Sequence, residues 1–168
     1  MAQLTRGKEW KSKNGHRQLR AEMQNIVLAT DGSSYSDAAA QCLADRRLFK
    51  DGFSVHVVHC LPDLSGEVKS FISKKDIDAW HTEESAKVMQ SVAAILRGAG
   101  VPFEEHSLVG FAPERIVDYA RSIKAEAILM GAHGRGAFLE AIVGSVAGRV
   151  IAHAECPVVL VKVPSKTE

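Results

Sequence analysis

The chain has 168 residues, of which 46% are hydrophobic and 24% charged, and its formal net charge at pH 7 is +1. This length suffices to bury the core of one domain, and the composition is that of an ordinary globular protein. The small net charge argues against a dedicated nucleic-acid-binding protein, and no run of about 18 apolar residues indicates a membrane span.

Residues 1–23 are basic and show no hydrophobic period. We predict that they form a flexible tail. The alternatives are an arm that contacts a partner, a membrane surface or a nucleic acid, with Trp10 as the docking side chain, and a misplaced translation start. We predict that residues 24–168 form the folded domain.

The cysteines Cys42, Cys60 and Cys156 lie in apolar patterns and lack the spacing of metal ligands. We therefore expect buried thiols without disulfide bonds. The polar first residues lack the apolar centre of a signal peptide. Together these features predict a cytoplasmic protein.

The first predicted strand, 25–29, ends in a polar turn, 30–34, whose serines are good caps for the helix that follows. Asp31 comes directly after the strand, where open α/β sheets place groups that contact ligands. The alternative is that Asp31 only caps the helix or shapes the turn. The next strand, 54–60, is rich in β-branched residues.

Two histidines of the second strand could suggest a metal site. His56 and His59 are three residues apart, so they should project from opposite faces of a strand. We therefore predict no metal site there. Residues 64–71 should be a loop, and 74–97 a long amphipathic helix. Its predicted core stripe is Ile77, Trp80, Val88, Val92 and Ile95.

Residues 103–109 should form an edge strand, since they are the most polar of the strand segments. A helix with Pro113 in its first turn follows, and it should turn Ile116, Val117 and Ala120 inward. The apolar segment 125–130 predicts the next strand. The helix 145–153 should turn Val146, Val150 and Ile151 inward, with Gly148 packed closely on the sheet.

The strongest motif begins after residue 130. Gly131 and Gly134 are separated by two residues, and nine more separate Gly134 from Gly144-Ser145. Glycines let backbone N–H groups approach a ligand closely, and the free N–H groups at a helix start suit a phosphate. Ser145 could cap that helix or bind an anion. The alternative is a tight loop that needs glycine only for its turns.

This Gly-x2-Gly-x9-Gly-Ser motif, with Met130 before it and Cys156-Pro157 and an apolar strand after it, resembles the ATP-binding branch of the universal stress protein family. The resemblance covers roughly residues 24–163. Alternating strands and helices already predict a parallel sheet with helices on both faces. The resemblance implies a Rossmann-like, open doubly wound α/β sheet of five strands in the order 3-2-1-4-5.

The resemblance further implies an adenine-nucleotide site for ATP, ADP or AMP, with a divalent ion such as Mg²⁺ held mainly by the phosphates. Asp31 would contact the nucleoside, Ala29 and Cys60 the adenine, and His133 the phosphates through its backbone. The alternative for His133 is a solvated loop histidine. Arg135, by its own chemistry, is a reasonable partner for a β- or γ-phosphate because a guanidinium matches phosphate geometry, and the alternative is an exposed surface charge. Ala147 replaces a hydroxyl residue of some members, which removes one phosphate contact. The implied site residues are Ala29, Thr30, Asp31, Cys60, Met130, Gly131, His133, Gly134, Gly144, Ser145 and Val146.

The sequence contains no Walker motif and no Gly-x-Gly-x2-Gly after the first strand, and no nucleophile with an adjacent base can be identified. The leading interpretation is a nucleotide-binding regulatory protein of the stress response, with no enzymatic activity or at most slow ATP hydrolysis. The alternatives are a partner-binding module without nucleotide and a true enzyme of adenine-nucleotide chemistry. Because the apolar last strand, Val158–Val161, would lie at a sheet edge, and relatives pair through it, we expect a homodimer.

Overall fold

The computed structural model describes residues 23–64, 66–134 and 143–163. The N-terminal tail and Arg135 therefore lie outside the described residues. The strands are β1 (Gln24–Ala29), β2 (Phe53–Leu61), β3 (Phe103–Val109), β4 (Ala127–Gly131) and β5 (Val158–Val161). The helices are α1 (Ser34–Ala44), α2 (Gly66–Phe71), α3 (Lys74–Gly98), α4 (Ala112–Ser122) and α5 (Ser145–His153). None of these helices is long and apolar enough to cross a membrane.

The five strands form one parallel sheet in the order β3-β2-β1-β4-β5, which confirms the predicted topology. β1 lies at the centre, and its residues Ile26, Val27 and Leu28 are fully buried. Such continuous apolar runs are typical of strands that are covered on both faces. β3 lies at an edge, as its polar residues predicted, and most of its residues are half-buried or exposed.

Two apolar cores cover the two faces of the sheet. Ile26 and Leu28 pack with α1 and α3, whereas Val27 and Ala29 pack with α4 and α5. Successive side chains of a strand point to opposite faces, so one short apolar segment contributes to both cores. The fold is therefore doubly wound, as expected.

The helix α2 corrects the sequence interpretation, which assigned a loop to residues 64–71. The structure has a helix at Gly66–Phe71, and Phe71 is 88% exposed. A six-residue helix that leaves its aromatic residue in solvent produces no recognisable apolar period. The three cysteines are free and half-buried among the described residues.

The long helix α3 is confirmed, but its core stripe was predicted only in part. Trp80 is 42% exposed, and Val88 and Ile95 are half-buried. Two polar residues, His81 and Ser85, lie inside instead. The Ser85 hydroxyl shares a hydrogen bond of 2.8 Å with Ser107 on β3, whereas His81 Nε2 is buried without a hydrogen-bond partner among the described residues. A hydroxyl group that has a hydrogen-bond partner can be buried at little cost in free energy. The buried face of this helix is therefore not recognisable in the sequence as a run of apolar residues at helical spacing. The buried face consists of Ile77, His81, Ser85, Met89, Val92, Ala93 and Leu96.

The helix α5 is also confirmed, with two corrections. Ile151 is 48% exposed, and Ala147 is buried beside Val150 in its place. Gly148 does not pack closely on the sheet, since a Cβ built there would meet no atom within 4 Å. The inward face of α5 is thus shifted toward the start of the helix.

Candidate ligand-binding site

A cavity of about 530 Å³ opens at the carboxyl ends of β1 and β4. The chain leaves β1 toward β2 on one side, while β4 pairs with β1 on the other, so this is where the strand order reverses. Open α/β sheets bind their ligands at this place. The volume lies within the range of small-molecule sites, which is roughly 300–1,000 Å³.

All eleven residues that the sequence analysis assigned to the site line this cavity. They are Ala29, Thr30, Asp31, Cys60, Met130, Gly131, His133, Gly134, Gly144, Ser145 and Val146. The parallel register explains their meeting, since Ala29 pairs with Met130 on one side and with Val58 on the other. The contact of each residue with a ligand remains a prediction.

Eight further residues line the cavity that were not among the assigned site residues, although Ala147 was noted as a position where some family members contact a phosphate. Ser36 lies in the first turn of α1, two residues after the polar turn, whereas Ala112 and Ile116 come from the start of α4, which only the fold brings near. His59 lines the cavity as well, with its Nδ1 at 2.9 Å from the Thr30 carbonyl oxygen. The eight residues are Ser36, Val58, His59, Ala112, Ile116, Ala132, Val143 and Ala147.

One part of the cavity is apolar. It is lined by Ala29, Val58 and Ile116, which belong to the core below, and by the Cys60 thiol. Burial raises the pKa of Cys60 to about 11, against the opposing charge of Arg115. The thiol is therefore neutral near pH 7 and behaves as a small apolar group. This wall suits a flat, uncharged ring.

Asp31 is held in place by its own turn. Its Oδ1 accepts hydrogen bonds from the Ser33 N–H at 3.0 Å and from the Ser36 hydroxyl at 2.9 Å. Its Oδ2 lies against the glycine loop, because a Cβ at Gly134 would come within 2.5 Å of it. The carboxylate thus shapes the turn, and it also joins the two distant segments of the cavity.

Glycine occurs at the three positions of the motif for different structural reasons. The described glycines with positive φ are Gly32, Gly52, Gly100 and Gly110, so none of the three is required by a left-handed turn. A Cβ at Gly131 would lie 2.5 Å from the Tyr35 Cβ, which excludes any side chain there. This close approach, rather than turn geometry, explains the first glycine.

No described neighbour requires a glycine at position 144. A Cβ there would lie 3.4 Å from the Ala132 oxygen, which is an ordinary contact, and its φ is −66°. Gly144, rather than Ser145, is the N-cap of α5, so the N-cap residue itself offers no side-chain oxygen to the first turn. The space beside Gly144 belongs to the cavity, where a ligand could approach the backbone.

The start of α5 gives this end of the cavity a positive character. The first N–H groups of a helix have no partner within the helix, and they carry the positive end of its dipole. Ser145, Val146 and Ala147 of this turn line the cavity, and the turn contains no acidic residue. Nearby, His133 Nδ1 is buried and has no hydrogen-bond partner within the described part of the chain. An anion is the ligand that such an end favours.

Comparison with known proteins identifies relatives along most of the chain. The model of the universal stress protein family matches residues 22–162. The universal stress protein MJ0531 of Methanocaldococcus jannaschii is 30% identical over 151 residues, which are 85% of this chain and 84% of that protein. A universal stress protein of Thermus aquaticus is 33% identical over 145 residues, which are 83% of this chain and 98% of the relative.

Solved structures agree with this relationship. The protein MJ0577 superposes with a TM-score of 0.72 at 25% identity, covering 86% of this chain and 99% of MJ0577. The universal stress protein of Archaeoglobus fulgidus, solved in complex with dAMP, has a TM-score of 0.59 and 31% identity, covering 83% of this chain and 98% of that chain. The family model and the shared fold together establish that this chain belongs to the universal stress protein family.

Proposed function

We propose that this protein binds ATP, or ADP or AMP, in the cavity between β1 and β4 and acts as a nucleotide-dependent regulator in the stress response. The observation that carries the proposal is the convergence of two distant segments on one cavity with an apolar wall and a helix start whose N-cap is a glycine. The dAMP complex of the Archaeoglobus fulgidus relative supports an adenine nucleotide. The free cysteines fit a cytoplasmic location.

The two ends of the cavity suggest the orientation of the ligand. Adenine would lie against the apolar wall formed by Ala29, Val58 and Cys60. The phosphates would lie beside Gly144 and the first turn of α5, which supplies N–H donors and a positive dipole. The ribose would then lie between them, on the side of Asp31.

The described residues offer little for a dedicated Mg²⁺ site at this cavity. The Asp31 Oδ1 already accepts two hydrogen bonds, and its Oδ2 faces Gly134. Mg²⁺ keeps several waters and commonly binds through substrate phosphates. We therefore expect Mg²⁺ to enter only with a di- or triphosphate, which holds it.

A thermal-shift titration tests the proposal. Protein freed of bound nucleotide is titrated with ATP and Mg²⁺, and in parallel with ADP and AMP. A ligand at about 100 times its dissociation constant adds roughly 2.7 kcal/mol of stability, which corresponds to about 5–10 °C in a domain of this size.

The result also separates the alternatives. A shift with no turnover of ATP agrees with a regulatory nucleotide-binding protein. Turnover well above a slow background, lost in Asp31→Ala, would instead identify an enzyme. No shift with any of the nucleotides would refute nucleotide binding and favour a module that acts through partners.

We further propose a homodimer formed through β5. Its residues, Val158–Val161, are all apolar, all half-buried, and pair with β4 on one side only among the described strands. An open apolar edge is a template for another strand, and pairing with a second copy would cover it.

Sedimentation at several protein concentrations tests the dimer. We expect Val159→Lys on β5 to shift the protein to monomer, because a charge there opposes strand pairing. Val109→Lys places the same charge on β3, at the opposite edge of the sheet. Because Val159 also packs against the core whereas Val109 is exposed, circular dichroism verifies that each variant is folded. A wild-type monomer at micromolar concentration, or dissociation by Val109→Lys alone, would contradict this interface.

A further inference from the structure

Three metal-ligating side chains converge on the sheet face that α4 covers, away from the cavity. His56 lies on β2, and Glu104 is its direct partner on β3 in the parallel register. His106 is two residues further along β3, so it projects from the same face. One ligand atom from each of the three lies within 4.8 Å of the other two.

The spacing of the two imidazoles suits one metal ion. His56 Nδ1 and His106 Nε2 are 3.2 Å apart. Two imidazole nitrogens at about 2.0–2.1 Å from a tetrahedral zinc are separated by roughly 3.3 Å. Glu104 Oε2 lies 3.9 Å from His106 Nε2, and its side chain is 41% exposed. A small rotation of this side chain would bring the carboxylate into the same coordination sphere.

A neighbouring amide orients the first imidazole as a ligand. Asn25 donates its Nδ2 hydrogen to the Ile123 carbonyl oxygen at 3.0 Å, which directs its Oδ1 to His56 Nε2 at 3.4 Å. Because Oδ1 only accepts, His56 carries its proton on Nε2 and presents the Nδ1 lone pair to His106. Metal-ligating histidines commonly have such a partner on the second nitrogen.

Two polar groups lie within hydrogen-bond distance of the single lone pair on His56 Nδ1, which can accept only one hydrogen bond well. The Tyr119 hydroxyl lies 3.0 Å from His56 Nδ1, in addition to His106 Nε2 at 3.2 Å. A cation between the imidazoles would accept the lone pairs of both, and the carboxylate would offset part of its charge. The tyrosine ring lies 4.8 Å from the His106 ring and covers one side of the cluster.

We propose that His56, Glu104 and His106 bind a transition-metal dication, with Zn²⁺ as the best match. Two imidazoles and one carboxylate form a donor set that zinc uses, whereas Mg²⁺ and Ca²⁺ prefer oxygen ligands alone. None of the three residues lines the nucleotide cavity, whose nearest lining residue on the same face of β2, Val58, lies two residues, or about 7 Å, further along the strand.

Co²⁺ titration of the metal-free full-length chain tests the proposal, with Zn²⁺ as competitor and visible absorption as the readout. We expect one Co²⁺ per chain, displaced by Zn²⁺. His106→Gln and Glu104→Gln should each weaken binding by roughly 100-fold or more, since loss of a mere second-sphere partner already costs about 10- to 100-fold. Asn25→Ala should fall within that smaller range.

Two controls make the result specific. Glu105→Gln changes the neighbouring, exposed carboxylate on the opposite face of β3, and it should leave Co²⁺ affinity unchanged. Gly144→Val alters the nucleotide cavity and should also leave the Co²⁺ affinity unchanged. Loss of nucleotide binding and loss of metal binding can therefore be distinguished. Circular dichroism verifies that each variant is folded. Absence of a Co²⁺ band in the wild type, or equal affinity in folded His106→Gln, would overturn the proposal.

Discussion

The variant Gly144→Val should remain folded but lose the stabilisation by ATP. Among the described residues, a Cβ at this position would lie 3.4 Å from the Ala132 oxygen, 3.5 Å from His133 Cα and 3.9 Å from the Gly134 nitrogen, so no described atom excludes it. The branched side chain would occupy the space beside the first turn of α5, where we place the phosphates. We expect affinity to fall by about 100-fold or more, so that the gain of roughly 2.7 kcal/mol disappears.

The same helix provides the control. Gly148→Ala adds a methyl group where no atom lies within 4 Å. Replacing an exposed glycine inside a helix should stabilise the protein by about 1 kcal/mol and leave the shift with ATP intact. An unchanged ATP shift in Gly144→Val would mean that the phosphates do not bind at the start of α5.

The variant Gly131→Ala should lose stability whether or not nucleotide is present. Its Cβ would lie 2.5 Å from the Tyr35 Cβ, 2.9 Å from the His133 oxygen and 3.0 Å from the Tyr35 carbonyl carbon. Two of these atoms are backbone, and Gly131 itself is paired with Val161 in the sheet. Overpacking of this kind costs typically 1–3 kcal/mol, so we expect a loss of about that size in denaturant unfolding.

The variant Gly134→Ala distinguishes an effect on core packing from an effect on the position of the Asp31 carboxylate. Its Cβ would meet only a side-chain oxygen, Asp31 Oδ2, at 2.5 Å, and this group can move. We expect a smaller loss of stability than in Gly131→Ala, together with weaker nucleotide binding because the carboxylate is displaced. If Gly131→Ala unfolded at the same denaturant concentration as the wild type, the close approach of β4 and α1 would be refuted.

The variants Gly131→Ala and Gly144→Val test different parts of the motif. Gly131 serves the packing of a strand end on α1, and its effect should appear in the absence of any ligand. No described atom excludes a side chain at Gly144, so the main effect of Gly144→Val should appear when nucleotide is added, beyond the modest loss of stability from replacing a glycine N-cap. A single motif in the sequence thus contains one position for the fold and one for the proposed ligand.

The sequence by itself determined the sheet and most of the cavity. Each strand of the centre is a short apolar run between turn residues, and this pattern depends on local chemistry alone. The glycine motif and Asp31 each follow a strand directly, so the topology brings them to the same edge of the sheet. The strand order and the remaining members of the set, such as Cys60 on β2, were implied by the resemblance, and all eleven proposed residues line one cavity.

Only the tertiary structure decided features that depend on a distant partner. Ser85 is buried on α3 because Ser107 on β3 completes its hydrogen bond. His56 was compared with His59, its neighbour in sequence, but its partners lie on β3, 50 residues away in the case of His106. The register between two strands and a hydrogen bond between two buried polar groups leave no pattern in the local sequence. The favourable free energy of such a contact depends on both residues, and the partner of each becomes known only in the folded chain.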